Sequence, residues 1–530
     1  MNTVAVLGGG ISGLSTAYYL SRLTPLKVLL IEGKERVGGW IQSQRVKDDI
    51  LFEAGPRSLR TEGANGAILL EMLQHLELKD DILGIPTSDP AVKHRYIYYK
   101  DKINTLPSGP VSLLNKPPIF KSVILAGMLE PFRMSRFKNG EPKDGVEDES
   151  VYSFMKRRFN EHTAVNLMGA ACHGIYAGDA KQLSVQSTFR MLYEAEKQYG
   201  SVVMGLLRGA GNTTTIRERG MAVRARDSDP DWFGRMEKMS MLGLKDGLET
   251  IPKKLEAWLA ASPNVEIIKN DAVTSLEFKD KETKIKTDQS EYHAEHIISA
   301  LPSYRLEKIL PVNLPHLSHN PVSDVAVVNV AYGNDVKFGY DGFGFLTPHR
   351  DTKYPIPVPG TLGVIFDSNA MPGQEHQQPV TKLTAMLGGC DWKEAFNAPI
   401  DQLDPQVAYE KTLEVMKKFL QLDAEPIAHK VHLQQKCIPQ YVVGHDARMR
   451  ELHQAISKTY GHKLSVTGAS YMGVSVPDCI KNSRLLVEEL MVSGALGSQQ
   501  KVVTGLDRVN DLSDSHRISK GNTDVILNTK

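Results

Sequence analysis

The first chemistry legible in this sequence lies in Gly8-Gly9-Gly10-Ile11-Ser12-Gly13 and in one acid further on, Glu32. Gly8 permits a sharp bend after a strand, Gly10 leaves room for a pyrophosphate to approach the backbone, and Gly13 lets the next helix pack close. Ile11 and Ser12 open that helix. Its N-terminus offers unpaired N–H groups and the positive end of a dipole to an anion. Glu32 stands where ribose hydroxyls would donate to it, and an acid there suits a nucleotide without a 2′-phosphate. An ordinary βαβ unit explains a glycine turn alone, whereas here strand, turn, helix, second strand and acid are in register. These residues point to a dinucleotide but do not separate FAD from NAD.

The elements that position them can be read outward. Thr3–Leu7 is an uncharged run of β-formers, so it reads as a strand buried on both faces in a parallel sheet; a helix to about Leu23 and the strand Lys27–Ile31 follow. Gly38-Gly39-Trp40 reads as an extension of the phosphate site or as a simple turn. In Gly55-Pro56-Arg57-Ser58 the Gly-Pro pair fixes a turn and holds Arg57 at its tip. Arg95 opens a hairpin of Arg95–Tyr99 and Lys102–Leu106, and taken alone it is a surface charge. Residues 111–211 turn helical. Within them Val111–Lys138 carries apolar side chains, Leu125, Met128 and Phe132 among them, rimmed by lysine and arginine. That pattern fits an interfacial membrane helix or a buried helical hairpin equally.

Residues 210–231 are rich in Thr, Arg, Gly and Asp and read as a mobile loop. Short apolar strands, including one at Val273 and another at His296–Ala300, then re-enter the first sheet. Residues 320–435 form a separate mixed sheet with a helix from Asp404 to Leu420. A second strand, glycine turn and helix follow at Leu464–Val476 and Asp478–Met491, which would bring another helix N-terminus to the cofactor. The polar tail from about Gly497 reads as disordered.

A length of 530 residues predicts two or three domains, and 63 basic against 62 acidic residues argue against nucleic-acid binding by bulk charge. The four cysteines are widely spaced singles, so neither a zinc motif nor a disulfide framework is expected. No stretch reaches about 18 consecutive apolar residues, the length a membrane-crossing helix needs. With the nucleotide strand starting at Thr3, no cleavable presequence is expected.

A two-piece nucleotide site resembles the glutathione-reductase-like FAD enzymes, in particular the group of amine oxidases and phytoene desaturases. The ordered phrases LGGGISGLSTAYYLSRL, ERVGGWI, FEAGPRSLR, HGIYAGDAKQLSVQSTF, LKDGLETIP, DGFGFLTP and GASYMGVSVPDCI make it similar to the eukaryotic, mitochondrial-type, oxygen-dependent protoporphyrinogen oxidases. This resemblance implies an α/β fold: a discontinuous FAD-binding Rossmann domain from residues 1–90, 236–305 and 436–495, a helical membrane-binding insertion at 91–210 and a loop at 211–235. A mixed-sheet substrate domain at 306–435 and the tail 496–530 complete the expected layout. It places Gly8 to Gly13, Glu32, Gly38, Gly39, Trp40, Gly55 to Ser58, Val273, Ala469, Val474, Ser475 and Val476 against non-covalent FAD. Arg95 would pair with a substrate propionate, Arg57 would lie near the flavin and Gly174 would form a pocket wall. No acid or base catalyst and no metal are assigned.

The implied reaction is FAD-dependent oxidation of protoporphyrinogen IX by O₂ at the mitochondrial inner-membrane surface, with a homodimer and a ferrochelatase contact as further implied associations. Coproporphyrinogen III oxidation, flavin amine oxidation and, outside enzymes, the binding of prenylated GTPases are the competing readings.

Overall fold

The computed structural model describes residues 2–107, 118–210, 214–374, 379–497 and 501–508. The uncharged strand Thr3–Leu7 sits inside a five-stranded sheet ordered Val265–Ile268, Lys27–Ile31, Thr3–Leu7, His296–Ser299, Leu464–Val466, with every pairing parallel. Its residues alternate between two cores, as the pleat requires. Val4, Val6, Val28 and Leu30 face a core that includes Leu14 and Tyr18 of the first helix and Leu486 and Leu490 of the last. Ala5, Leu7, Leu29 and Ile31 face a second core with Leu306, Met449 and Leu452. The sheet therefore takes strands from the beginning, middle and end of the chain, and places two glycine turns at the same strand ends.

A seven-stranded mixed sheet has the order Ala428–Pro439, Val322–Gly333, Val380–Gly388, Thr361–Ile365, Gly344–Leu346, Tyr96–Tyr98, Ile103–Thr105. Its last two strands are a correction, because the sequence reading put this hairpin within the helical insertion. Tyr96 and Tyr98 pack into the core of this sheet beside Phe345 and Phe366, and Ile97 turns to the opposite side against Ala170. Burial on both faces seats the hairpin in the sheet, with Tyr96 paired to Phe345 in parallel.

The expected loop at 211–235 is also corrected. Two helices, Ile216–Asp227 and Pro230–Met236, fill most of it. A capping box between Thr215 and Glu218 starts the first, and Asp229 caps the second. Met221, Ala222, Ala225, Trp232 and Phe233 are buried in the first core. The arginines that suggested a loop are paired outward, Arg217 with Glu489 and Arg224 with Glu488. In the expected tail, Val503, Thr504 and Leu506 are buried, and Thr504 O accepts Val466 N–H at 2.8 Å. The rest of that tail, 509–530, and residues 111–117 of the apolar stretch lie outside the described residues.

Helices from Val151 to Leu207 pack around a separate small core of Phe137, Phe154 and Tyr193. Among the described residues no helix is long and apolar enough to cross a membrane. All four cysteines are unpaired thiols.

Candidate active site

The glycines of the first turn differ in what they permit. Gly8 has φ +100° and donates its N–H to Ile31 O at 2.8 Å. A Cβ on Gly13 would stand 1.8 Å from the Gly8 carbonyl oxygen, so helix and strand touch backbone to backbone. A Cβ on Gly10 would meet nothing within 4 Å, and this residue begins the helix Ile11–Leu23 with no side chain capping it. Open space over an uncapped helix N-terminus is a cradle for an anion. Glu32 also braces the turn, a role absent from the sequence reading. Its carboxylate accepts Gly9 N–H at 2.7 Å and Lys34 N–H at 2.9 Å.

Gly38 and Gly39 dock on this turn. Gly38 N–H donates to Gly9 O at 2.8 Å, and a Cβ on Gly39 would come within 3.2 Å of Gly10 Cα. Trp40 is half-exposed, and its carbonyl leaves no room for a side chain on Gly55. Val273 does not re-enter the first sheet as expected but opens a separate three-stranded meander, just after Ala272, which abuts Gly33 beside Glu32.

The far glycine turn meets the first. Gly468 has φ +112°, and Ser483 Oγ donates to Ser12 O at 2.9 Å, tying the helix Val476–Val492 to the helix after the first turn. Ser475 caps the last helix, accepting Asp478 N–H at 3.2 Å. Ala469 O accepts from Tyr441 Oη at 2.5 Å, and Tyr471 O lies 2.8 Å from His445 Nε2. Burial holds His445 neutral, with its pKa lowered to about 4. Cys479 is buried under the same turn, and burial pushes its thiol up to about 11, away from the thiolate form that attacks most readily.

Arg57 is buried between the glycine turns and the seven-stranded sheet. It donates to Asp367 at 2.8 Å; Thr384 donates to that carboxylate at 2.6 Å, and Asn329 Nδ2 donates to Glu53 O at 3.1 Å. Arg57 Nε and His432 Nε2 are buried without a hydrogen-bond partner, and the two residues are close enough for their charges to interact. Two such orphaned polar atoms beside a glycine cradle fit a large polar cofactor with ring nitrogens and carbonyls.

This arrangement agrees with sequence comparison. The model for flavin-containing amine oxidoreductases matches residues 11–490. The chain belongs to that family. Among curated relatives, protoporphyrinogen oxidase of Macaca fascicularis is 36% identical over 91% of this chain and 97% of its own. That of Schizosaccharomyces pombe is 35% identical over 92% of this chain and 98% of its own. A crystal structure from Exiguobacterium sp. 255-15, provisionally named a protoporphyrinogen oxidase, matches the fold with a TM-score of 0.72 at 20% identity, covering 93% of this chain and 99% of that one.

Within this amine oxidoreductase fold the remaining sequence-predicted residues fall apart into two groups. Arg57 is buried with Asp367, whereas Arg95 is exposed at the start of its hairpin, with the charges of Arg60 and Glu62 nearby. Desolvation by the neighbouring chain around its stem, although the residue is exposed overall, and then the charge of Arg60 lower the Arg95 pKa. A Cβ on Gly174 would come within 2.3 Å of the Leu346 side chain, so any larger residue there must push that leucine aside. Sequence reasoning missed Arg60, Asp367, Thr384, Asn329 and His432. Asn329 carried a signal, being the one polar residue in the apolar run Val325–Tyr332. Arg60 follows Arg57 after Ser58 and Leu59, at the end of the short strand Leu59–Arg60, which is a weaker one.

Proposed function

We propose that this flavoprotein oxidises protoporphyrinogen IX to protoporphyrin IX at the expense of O₂, removing six electrons in three two-electron rounds and releasing H₂O₂. The observation that carries the reading is the near full-length similarity to protoporphyrinogen oxidases, in a chain whose two glycine turns converge on one cradle. FAD, when bound, supplies the two-electron chemistry and passes the electrons to O₂. Gly8 to Gly13, Glu32, Gly38 to Trp40, Gly55 to Ser58, Val273, Ala469 and Val474 to Val476 would hold its phosphates, ribose and ring. The segments 1–90, 236–305 and 436–495 constitute its domain.

The protein's own part is orientation and charge. Arg95 feels the charges of Arg60 and of one acid, Glu62, and the excess of guanidinium charge favours a dianionic substrate such as a porphyrinogen with two propionates. Gly174, close against Leu346, would form the wall on which the macrocycle lies. Arg57, fixed by Asp367, would place its guanidinium on the cofactor side of the substrate. Arg95→Ala is expected to lower kcat/KM for protoporphyrinogen about tenfold to a hundredfold, mainly through KM, because a charge-assisted anchor is worth ~1.5–3 kcal/mol. Steady-state kinetics with both KM and kcat unchanged would remove Arg95 from the site. Parallel turnover assays with coproporphyrinogen III, which has four carboxylates, separate the two porphyrinogen readings.

The same reading seats the enzyme on the mitochondrial inner-membrane surface. What supports it is an apolar patch of Leu125, Met128, Leu129, Phe132 and Met134, with Phe132 86% and Met134 85% exposed. Exposed apolar side chains beside basic ones suit an anionic bilayer surface. The double variant Phe132→Glu/Met134→Glu is expected to lose most of its co-sedimentation with anionic-lipid vesicles while keeping FAD. Undiminished co-sedimentation would exclude this patch.

A further inference from the structure

Sequence spacing holds no metal motif, yet the fold gathers donors from three separate segments on the side of the seven-stranded sheet that carries Gly174. His173 lies on the helix Gly169–Tyr176 and is 1% exposed; its Nδ1 is 3.1 Å from Thr347 O. A carbonyl only accepts, so Nδ1 carries the proton and Nε2 presents a lone pair. His349, 4% exposed, donates its Nδ1–H to the Asp351 carboxylate at 3.1 Å. Burial lowers its pKa, but Asp391 and Cys390 outweigh this and raise it to about 10, so a bound cation would take the place of the Nε2 proton. A histidine whose Nδ1–H is held by a carbonyl or carboxylate, leaving Nε2 free, is oriented as metal-ligating histidines are.

Both Nε2 atoms converge on one carboxylate. His173 Nε2 is 3.4 Å from Asp391 Oδ2, and His349 Nε2 is 3.2 Å from Asp391 Oδ1. His173 Nε2, His349 Nε2 and Asp391 Oδ1 are all buried without a hydrogen-bond partner. A proton shared between His349 and Asp391 would satisfy one contact only. It would leave His173 Nε2 facing the other carboxylate oxygen, lone pair to lone pair. Arg350 comes within 3.3 Å of Asp391 Oδ1 but not in hydrogen-bonding orientation, and it is paired outward with Glu394. The Cys390 thiol completes the group: donor atoms of His173, Cys390 and Asp391 lie within 4.8 Å of one another. The cluster opens on a cavity of about 390 Å³ lined by His173, Asp391, Arg350 and Tyr354.

We propose that His173 Nε2, Cys390 Sγ and the Asp391 carboxylate, with His349 Nε2 as the fourth donor, bind a divalent zinc-like cation. Nitrogen, sulfur and oxygen donors in one set select a borderline cation of tetrahedral preference, whose ligand atoms stand roughly 3.3–3.8 Å apart. The His173, Cys390 and Asp391 donors lie within 4.8 Å of one another, so binding needs their side chains, and that of His349, to close inward on the ion. The backbone is already set for it. Cys390 N–H donates to Ala177 O at 2.9 Å, joining the turn at Gly388-Gly389 to the end of the His173 helix. The ion would clamp that helix to the sheet, and with it Gly174 against Leu346, so its effect falls on the substrate wall and not on FAD.

The test uses the FAD-loaded full chain, stripped with a chelator and titrated with Zn²⁺ by calorimetry, with retained metal counted after gel filtration. About one Zn²⁺ per chain is expected, with a rise in melting temperature on metal addition. Cys390→Ser and His173→Gln are each expected to weaken binding at least tenfold and to abolish that rise, while Cys437→Ser leaves both unchanged. FAD content and the metal-free melting temperature show whether each variant is folded. Failure of the wild-type chain to retain Zn²⁺ overturns the proposal whatever the variants do. Binding that survives Cys390→Ser and His173→Gln but is lost in Asp351→Asn assigns the ion to the outer group Asp179, His349 and Asp351 and overturns it equally.

Discussion

Gly13→Ala is expected to give a protein that retains less than about a tenth of the wild-type FAD. The added methyl would sit 1.8 Å from the Gly8 carbonyl oxygen, a backbone atom held by the strand pairing of Thr3–Leu7 and by Gly8 N–H to Ile31 O. Neither side can yield without moving the helix off the sheet. Leu14 and Tyr18 on that helix are fully buried, so the shift spreads through the core at a cost of several kcal/mol, at the upper end of what overpacking causes. Gly10→Ala makes the contrast. Its Cβ meets no protein atom within 4 Å and its φ of −70° suits alanine, so the variant is expected to melt at or slightly above the wild-type temperature. It loses FAD affinity only because the methyl occupies the pyrophosphate's approach. The pair is read by flavin absorbance after gel filtration and by thermal melting. A yellow Gly13→Ala protein, or a Gly10→Ala protein with full FAD affinity, would contradict the geometry assigned to the turn.

Arg158→Ala is expected to destabilise the helical region by about 3–5 kcal/mol, the usual cost of removing one partner from a buried ion pair. Arg158 and Glu130 are both fully buried. Arg158 Nε donates to Glu130 at 2.7 Å, and its two terminal nitrogens reach the carbonyls of Glu130, Arg133, Met134 and Gly200 at 3.1–3.2 Å. Glu130 in turn accepts from Ser201 Oγ at 2.5 Å and from the N–H groups of Val202 and Val203 at 2.8 and 3.1 Å, which caps the helix Val202–Leu207. Removing the guanidinium leaves a buried anion and four carbonyls short of donors. Urea unfolding with a loss under about 1 kcal/mol would show that water replaces it.

The same pair sets a sign for pH. Burial alone would raise the Glu130 pKa, but the Ser201 hydroxyl, the Val202 N–H and Arg158 outweigh it and hold the carboxyl below its ordinary range. A depressed carboxylate pKa contributes stability above the unfolded value, and this is lost as pH falls through the folded value. The gap between wild type and Arg158→Ala is therefore full at neutral pH and narrows below about pH 4. Because Phe132 and Met134 lie on the segment whose carbonyls Arg158 holds, this variant also loosens the exposed apolar patch.

The nucleotide half of the molecule was the most legible from sequence, because local rules act there without competition. The strand Thr3–Leu7, the helix ending at Leu23 and the strand Lys27–Ile31 have the bounds that their apolar runs and glycines predict. Legibility failed where long-range packing overrode local composition. Arginines at 217–226 look like a loop until Glu488 and Glu489, far along the chain, pair with them. The Tyr96–Tyr98 strand is short, and only Phe345 and Phe366 reveal which sheet it joins. In the site, glycines announce themselves through spacing. Asp367, Thr384 and His432 are placed by sheet register alone, and the cluster of His173, His349, Cys390 and Asp391 is assembled from segments that share no motif.

The most direct test of the central claim is anaerobic addition of protoporphyrinogen IX to the purified, FAD-loaded protein, followed by absorbance and fluorescence. Loss of the oxidised flavin band before oxygen is present, then porphyrin fluorescence and peroxide when air is admitted, is the predicted result. A flavin band that stays oxidised with protoporphyrinogen IX in excess, or that bleaches only with coproporphyrinogen III or an amine, would contradict the account.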